Sequence, residues 1–294
     1  MNAITTRDLF SKRLFGYLRW KLFRASGHSD SVLSVLHADL ASTKPNHIAV
    51  TGDLTHLSLS AEFKKARQWL QTIGSPSKVT VIPGNHDAYV PTDWHKTMAH
   101  WTEYMLSDSP QDSEHHNNNI DRIFPCLRIR DHVAIIGVCT AQPTAPHLAV
   151  GSIGAGQLGR LEKILSQTAR QGYFRVLLLH HPPASSTVSW RKRLTDAPAL
   201  QSLLADSGVE LILHGHTHFA HQCYLKTLSG SIPVMGAPSI TALDRPADRR
   251  ARYYIYRISP GDDGWNVRLQ VRVYSPSENR FIRESEQQFS NQLR

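Results

Sequence analysis

The chain has 294 residues and a formal net charge of +9, and its 40% hydrophobic content is enough for a sizeable core. It contains no run of roughly 18 or more apolar residues, which argues against a membrane-spanning helix. The three cysteines, Cys126, Cys139 and Cys223, form no C-x-x-C pair, so neither a disulfide framework nor a thiolate zinc site is indicated. We therefore expect a reduced, cytoplasmic protein without a cleavable signal peptide.

The N-terminal segment, residues 1–29, is basic and rich in aromatic side chains. It carries six Lys or Arg residues against a single Asp, interleaved with Leu, Phe, Tyr and Trp. We interpret this segment as an amphipathic helix that packs its apolar side on the rest of the domain. Contact with an anionic membrane surface, or with a phosphate-bearing ligand, stays open as the alternative.

From residue 30 onward, helical and strand patterns alternate. A helical stripe of apolar residues ends near Pro45, and the apolar run His47–Thr51 predicts a short buried strand. A second helix is predicted over residues 59–73, followed by a strand over Val79–Ile82. A strand, a helix and a strand in this order form a βαβ unit, which favours parallel pairing.

The second half of the chain continues this pattern and then loses its helices. We predict a polar surface loop, then strands and helices in alternation, and finally strand-like runs without long helices between them. Those last runs predict a second, mostly antiparallel sheet. No linker or repeat divides the chain, so we expect a single domain over residues 1–294. The predicted segments are the loop at 108–119, strands at 123–130, 133–139, 175–179 and 209–213, helices at 158–168 and 197–205, and late strand-like runs at 220–228, 231–236, 251–258 and 264–274.

Four predicted strands end in polar motifs. Each motif alone could be an ordinary turn, a helix cap or a core histidine. Together they indicate one site, because ligands bind at the carboxyl ends of strands in open α/β sheets. Carboxylate, amide oxygen and imidazole groups form a ligand set that suits Mn, Fe or Zn. The motifs are Gly52-Asp53, Gly84-Asn85-His86-Asp87, His180-His181 and Gly215-His216-Thr217-His218.

In order, spacing and strand context, these four motifs resemble those of the calcineurin-like metallophosphoesterases. The resemblance covers about residues 30–240, with residues 241–294 as C-terminal strands, and the Gly-Asn-His-Asp and Gly-His-Thr-His motifs together are highly specific. It implies a four-layer αββα sandwich of two mixed sheets and a phosphoesterase site that holds two divalent metal ions.

The resemblance also implies metal ligands. Asp53 would bridge both ions, Asn85, His180 and His216 would complete the second metal site, and His218 would belong to the first. The adjacent His181 is the alternative to His180, which we prefer because it comes first after the strand.

A catalytic pair is implied in the same way. The resemblance implies hydrolysis of phosphoric mono- or diesters by a hydroxide that bridges the two ions. His86 would sit near the scissile ester and either protonate the leaving oxygen or stabilise the transition state, and Asp87 would orient the His86 ring.

The family pattern begins with an Asp-x-His motif that this chain lacks upstream of Asp53. Asp93-Trp94-His95 has the right letters but follows the Gly-Asn-His-Asp motif. We therefore expect a fold without the family's first strand, and a second metal site better preserved than the first. The chain is either a truncated form of an ordinary enzyme, which we favour because the later motifs are intact, or a divergent, catalytically impaired metal-binding or interaction protein.

The expected partner is a phosphate-ester substrate, either a small molecule or a lipid-linked one. The positive charge alone does not indicate nucleic-acid binding, because no recognition motif accompanies it. We expect a cytoplasmic location with peripheral membrane contact as the alternative, and the sequence does not indicate the substrate or the oligomeric state.

Overall fold

The computed structural model describes residues 12–13, 30–108, 120–184, 187–227, 230–243, 246–262 and 264–291. Two predicted features lie outside these residues: the N-terminal amphipathic helix, apart from the helical residues Lys12 and Arg13, and the polar loop, apart from its first residue.

The described elements alternate between strands and helices in the first half of the chain and are mainly strands in the second. Short 3-10 turns lie at Trp94–Lys96, Met98–Tyr104 and Trp190–Lys192. The helices are α1 (Asp30–Thr43), α2 (Ser60–Ile73), α3 (Ile120–Ile123), α4 (Ala155–Arg170) and α5 (Ala197–Ser207). The strands are β1 (Ile48–Val50), β2 (Val79–Val81), β3 (Cys126–Arg130), β4 (Val133–Gly137), β5 (Phe174–Leu179), β6 (Leu211–His214), β7 (His221–Thr227), β8 (Gly230–Gly236), β9 (Arg252–Gly261), β10 (Gly264–Ser275) and β11 (Arg280–Asn291).

The larger sheet has six strands in the order β3-β4-β5-β6-β8-β7. Strands β4, β5, β6 and β8 run parallel, and β3 and β7 pair antiparallel at its two edges. Alternate residues of β5 enter different cores, as expected for a strand with both faces covered. Leu177 and Leu179 pack with helices α4 and α5, whereas Val176 and Leu178 face the second β layer.

The second β layer consists of two groups of strands that share one core. Strands β1 and β2 pair in parallel, as the βαβ pattern predicted, and β9, β10 and β11 form an antiparallel meander. Helix α2 packs on the core of this layer, and helix α1 packs beside β10 and β11. The predicted four-layer αββα order is therefore confirmed.

Two sequence predictions differ from the structure. The hairpin β7–β8 was expected in the second sheet but extends the first, because β8 lies in parallel beside β6, with His214 opposite Gly236. The strand predicted from residue 123 begins at Cys126 instead, because Ile120–Ile123 form a helical turn.

Two observations concern the edges and the surface. In the described part of the chain, β1 pairs only with β2, and no strand precedes Ile48. No helix among the described residues is long and apolar enough to cross a membrane.

Candidate active site

Four of the predicted site residues converge where strands β1, β2, β5 and β6 end. The Oδ1 atom of Asn85 lies 2.8 Å from Nδ1 of His216 and 3.1 Å from Nε2 of His180. The Oδ2 atom of Asp53 lies 3.4 Å from the same Nε2 of His180. The structure thus brings together Asp53, Asn85, His180 and His216, which come from separate loops.

The two histidines turn acceptor atoms toward Asn85. Nδ1 of His180 donates to the carbonyl of Thr51 at 2.7 Å, and Nε2 of His216 donates to the carbonyl of Lys192 at 2.9 Å. In a neutral imidazole the other nitrogen carries a lone pair, and in both rings this nitrogen faces Oδ1 of Asn85. In His180 the same nitrogen also lies beside the Asp53 carboxylate, which favours a proton there. Acceptors that face one another are favourable only with a proton or a cation between them.

Glycine allows this close approach. Gly52 has φ +93° and leads into Asp53 with φ +60°, a backbone conformation that turns the chain sharply at the end of β1. A Cβ atom on Gly84 would lie 2.2 Å from Oδ1 of Asp53 and 2.7 Å from Cε1 of His180. The backbone N–H of His86 donates to Oδ1 of Asp53 at 2.9 Å and fixes the carboxylate.

The charges in this cluster are coupled. Burial alone would raise the pKa of Asp53, but His180 and His86 hold that pKa well below its usual range. Burial opposes the protonation of His180, yet the Asp53 carboxylate raises the His180 pKa overall. Burial, followed by the neighbouring His181 and His180, lowers the pKa of His216. His216 is therefore neutral at ordinary pH, and its lone pair is available as a ligand.

Asp87 has a different partner from the one predicted. Its buried carboxylate accepts hydrogen bonds from the backbone N–H groups of Gly84 at 2.8 Å, Asp53 at 2.9 Å and Thr55 at 2.8 Å. Burial and the nearby Asp53 raise its pKa to about 7, against these bonds. Asp87 therefore joins the two loops that carry Asp53 and Asn85, instead of orienting the His86 ring.

The His86 ring is held by a backbone carbonyl and by stacking. Its Nδ1 donates to the carbonyl of His56 at 2.8 Å, which leaves Nε2 as the ring atom that can take up or release a proton. The ring stacks between His56, with centroids 5.0 Å apart, and Tyr89, with centroids 5.6 Å apart. Sequence reasoning missed both stacking partners, although His56 follows the Gly-Asp motif by three residues and could have been noted for that reason.

The remaining two predicted ligands differ in their surroundings. Both ring nitrogens of His181 are occupied, by the hydroxyl of Thr140 at 2.7 Å and the carbonyl of Ala149 at 3.1 Å, and burial lowers its pKa to about 3. This geometry favours His180 over His181 as the residue that faces the cluster. His218 is half-buried on the same loop as His216, with φ +59°, and its role as a ligand stays a prediction.

The donor set fits a divalent ion in its chemistry. It combines a carboxylate, an amide oxygen and two imidazoles, the mixture that Mn, Fe and Zn accept. Among the described residues, no three or more His, Cys, Asp or Glu side chains form a metal-binding group by themselves. The cluster depends on the Asn85 amide oxygen, which lies between the two imidazoles.

A family of known proteins matches the part of the sequence that contains these loops. The family model for calcineurin-like phosphoesterases matches residues 22–220, which include Asp53, Asn85, His180 and His216. A search among proteins with curated functions returned no match.

Solved structures align with most of the chain. A dimetal phosphatase from Danio rerio superposes with a TM-score of 0.53 at 11% identity, over 88% of each chain. A Vps29 double mutant from Entamoeba histolytica gives a TM-score of 0.40 at 11% identity, over 91% of this chain and 93% of that one. Since the family model spans well over half of the sequence, the chain belongs to the calcineurin-like phosphoesterase family.

Proposed function

We propose that the chain is a metal-dependent hydrolase of phosphoric mono- or diesters. The observation that carries this proposal is the convergence of two imidazoles and a carboxylate beside Oδ1 of Asn85, since two ring nitrogens lie within 3.1 Å of that oxygen and the Asp53 carboxylate lies 3.4 Å from one of them. Asp53, Asn85, His180 and His216 would hold a divalent ion, with Mn, Fe or Zn as the candidates that suit these donors. The family match and the fold support the same reaction class.

The ion and the protein side chains would have separate tasks. When bound, divalent ions polarise phosphoryl oxygens and lower the pKa of water. The Nε2 atom of His86 would hold the proton that the departing oxygen receives, because Nδ1 is fixed by the His56 carbonyl. Asp87 would preserve the geometry by keeping the two loops together, since from its own loop it accepts the backbone N–H groups of Asp53 and Thr55.

The two metal sites of the family would not be equally filled. Asp53 and His218 are the only ligands that the motifs of this chain assign to the first site, and such a small set binds weakly. We expect one tightly bound ion per chain at the Asn85 site. Metal analysis of the purified chain would contradict this expectation if it found two ions that both survive extensive dialysis.

A turn beside the site favours an amphiphilic substrate. Trp190 is 62% exposed, and the Arg191 guanidinium lies 5.1 Å from the centre of its ring. Lys192 and Arg193 are also exposed, and the Lys192 carbonyl accepts the hydrogen bond from His216. Cations and an exposed indole next to the cluster suit a phosphate ester with an apolar tail, such as a lipid-linked one.

Hydrolysis assays on the full chain test the proposal. Metal-free protein would be reloaded with Mn(II), Fe(II) or Zn(II) and assayed with bis-p-nitrophenyl phosphate, p-nitrophenyl phosphate and a short-chain phospholipid. We expect activity that needs added metal and falls by about 100-fold or more in His86→Ala, because general acid catalysis contributes this much. The exposed His95 offers the matched control, His95→Ala, which should keep the wild-type rate.

Each contrary outcome has a distinct meaning. Equal rates in His86→Ala and wild type would exclude the proposed role of His86. A chain that binds metal at the Asn85 site but hydrolyses none of the three substrates would favour the alternative, a catalytically impaired metal-binding or interaction protein.

A further inference from the structure

Two basic residues of the N-terminal segment contact two different loops next to residues of the predicted motifs. Arg13 donates from Nε to the carbonyl of Leu57 at 2.9 Å and from Nη2 to the carbonyl of Ser58 at 2.7 Å. Lys12 donates from Nζ to the hydroxyl of Thr144 at 2.7 Å and to the carbonyl of Leu148 at 3.1 Å. The pair therefore links the loop after β1 to the loop after β4.

Both of these loops make hydrogen bonds to the loops that carry the predicted motifs. The Ser58 hydroxyl donates to the carbonyl of His86 at 2.8 Å and accepts from the backbone N–H of Tyr89 at 2.8 Å. On the other side, the loop of Leu148 continues into Ala149, whose carbonyl accepts from Nε2 of His181.

Lys12 also reaches the stack that contains His86. Its ammonium lies 4.5 Å from the centre of the Tyr89 ring. The Tyr89 ring lies parallel to the His86 ring, with an interplanar angle of 4°. A partly desolvated cation over an aromatic face is attracted by the ring quadrupole, so Lys12 favours the position of Tyr89 that supports His86.

The contacts of Lys12 fit a structural link between loops better than a binding site for a phosphate group. An ammonium has three N–H donors. Thr144 and Leu148 accept two of them, and the face of Tyr89 is the third contact. A phosphate group would have to displace these partners, whereas a structural link uses all of them as they stand.

We propose that Lys12 is a positioning residue for His86: its ammonium holds the Tyr89 ring against the His86 ring and ties this stack to the loop of Thr144 and Leu148. Arg13 fixes the position of Lys12 through the carbonyls of Leu57 and Ser58. This inference rests on the proposed function for its catalytic consequence, but the placement of the His86 ring can be measured without any turnover.

The kinetic test compares Lys12→Met with Lys12→Arg on metal-loaded full chain. Because misplacement of a catalytic group by about 1 Å can cost up to about 100-fold in rate, we expect Lys12→Met to lower kcat for bis-p-nitrophenyl phosphate by about 10-fold or more. KM should stay within about two-fold, since Lys12 is not assigned to substrate binding. Lys12→Arg keeps a cation over Tyr89 and should restore most of kcat. The exposed Lys163 of α4 provides the matched control, Lys163→Met, which should match wild type.

The structural test uses the histidine ring signals in NMR spectra of the full chain. The His86 signals, identified by their loss in His86→Ala, sense the ring current of Tyr89. We expect them to move in Lys12→Met and in Tyr89→Leu, and to stay in place in Lys12→Arg and Lys163→Met. Combining Lys12→Met with Tyr89→Leu should move them no further than Tyr89→Leu alone.

The two tests separate the possible failures. If the wild type hydrolyses nothing but the His86 signals respond as expected, the proposed function fails and the placement of His86 by Lys12 stands. If the His86 signals and kcat are the same in Lys12→Met and Lys163→Met, the inference is overturned. A rise in KM without a change in kcat would also overturn it, because it would assign Lys12 to substrate binding.

Discussion

Gly84 shows how one residue without a side chain permits the site. Its backbone lies directly beside the Asp53 carboxylate and the His180 ring, which come from two other loops. A side chain here would have to occupy the space of one of these groups, because a Cβ atom would lie 2.2 Å from Oδ1 of Asp53. The motif Gly-Asn-His-Asp therefore contains a steric requirement as well as chemical groups.

Replacing Gly84 with alanine should disturb the geometry of the candidate site. We expect Gly84→Ala to displace Asp53 or His180 and to lower both metal affinity and hydrolysis by about 10-fold or more, as removal of supporting groups around a metal does. The matched control is Gly159→Ala in α4, where a Cβ atom meets no atom within 4 Å. That change should stabilise the protein by about 0.5–1 kcal/mol through helix propensity and leave metal affinity unchanged. Calorimetric metal titration and thermal unfolding of both variants would check this, and equal metal affinity in the two would contradict it.

Sequence reasoning identified the residues of the cluster but not those that hold His86. Asp53, Asn85, His180 and His216 stand in short motifs at strand ends, so local pattern is enough to single them out. Tyr89 lies only three residues after His86, but a single aromatic residue in a loop does not indicate that its ring stacks. Lys12 acts through contacts with residues far apart in sequence, and no spacing along the chain encodes such contacts. The family resemblance assigned Asp87 to His86, but its side chain accepts the backbone N–H groups of Asp53 and Thr55 on the neighbouring loop instead.

Strands β5 and β6 position the two histidines of the cluster, and a buried ion pair joins the beginnings of these strands. The Arg175 guanidinium donates to Glu210 from Nη2 at 2.6 Å and from Nε at 2.9 Å, and both side chains are less than a tenth exposed. The backbone N–H of Arg175 donates to the same carboxylate. At the opposite ends of these strands lie His180 and His216, so the pair stabilises the strand register far from the site.

Removing one partner of this pair should be costly. We expect Glu210→Gln to lower the free energy of unfolding by about 3–5 kcal/mol, because it leaves the Arg175 charge buried without its counter-ion. The control is Glu286→Gln on β11, whose pairs with Arg268 and Arg283 are largely exposed, and it should cost about 1 kcal/mol or less. Urea unfolding followed by circular dichroism would measure both, and similar losses in the two variants would contradict the assignment of Arg175–Glu210 as a critical buried pair.

At the level of elements, apolar runs located the strands but not their neighbours. The buried runs that became β2, β5 and β6 are short and uninterrupted, which is typical of parallel strands covered on both faces. The hairpin β7–β8 could not be assigned to a sheet in this way, because its pairing with β6 depends on room for the His214 ring. That ring lies over Gly236, where a Cβ atom would come within 2.6 Å of it.

Over the whole molecule, folding buries several histidines in their neutral form. Burial lowers the pKa of His47 to about 3, of His181 to about 3 and of His214 to about 4. In the unfolded chain these rings titrate near pH 6.5. Between about pH 6.5 and 4 the unfolded chain therefore binds more protons, and stability falls as the pH falls. Burial raises the pKa of Asp87 to about 7, so this group alone makes the folded protein more stable as the pH falls over the same range. It is one group, whereas several histidines have the opposite effect.

His47 allows this linkage to be tested away from the candidate site. Its Nδ1 accepts from Nε of Arg130 at 3.2 Å and its Nε2 lies 2.7 Å from the Thr80 hydroxyl, so a protonated ring would lose the first of these bonds and face a guanidinium. With a folded pKa of about 3, this histidine contributes stability that is present above pH 6.5 and lost as the pH falls toward 3. Between pH 7.5 and 5.5 its contribution should decrease by about 1 kcal/mol.

We therefore expect His47→Gln to lose about 1 kcal/mol less stability than wild type over this interval in urea titrations, whatever its stability at pH 7.5. His95→Gln, a change at an exposed histidine, should keep the wild-type pH dependence. An unchanged pH dependence in His47→Gln would show that His47 is not held neutral by the fold.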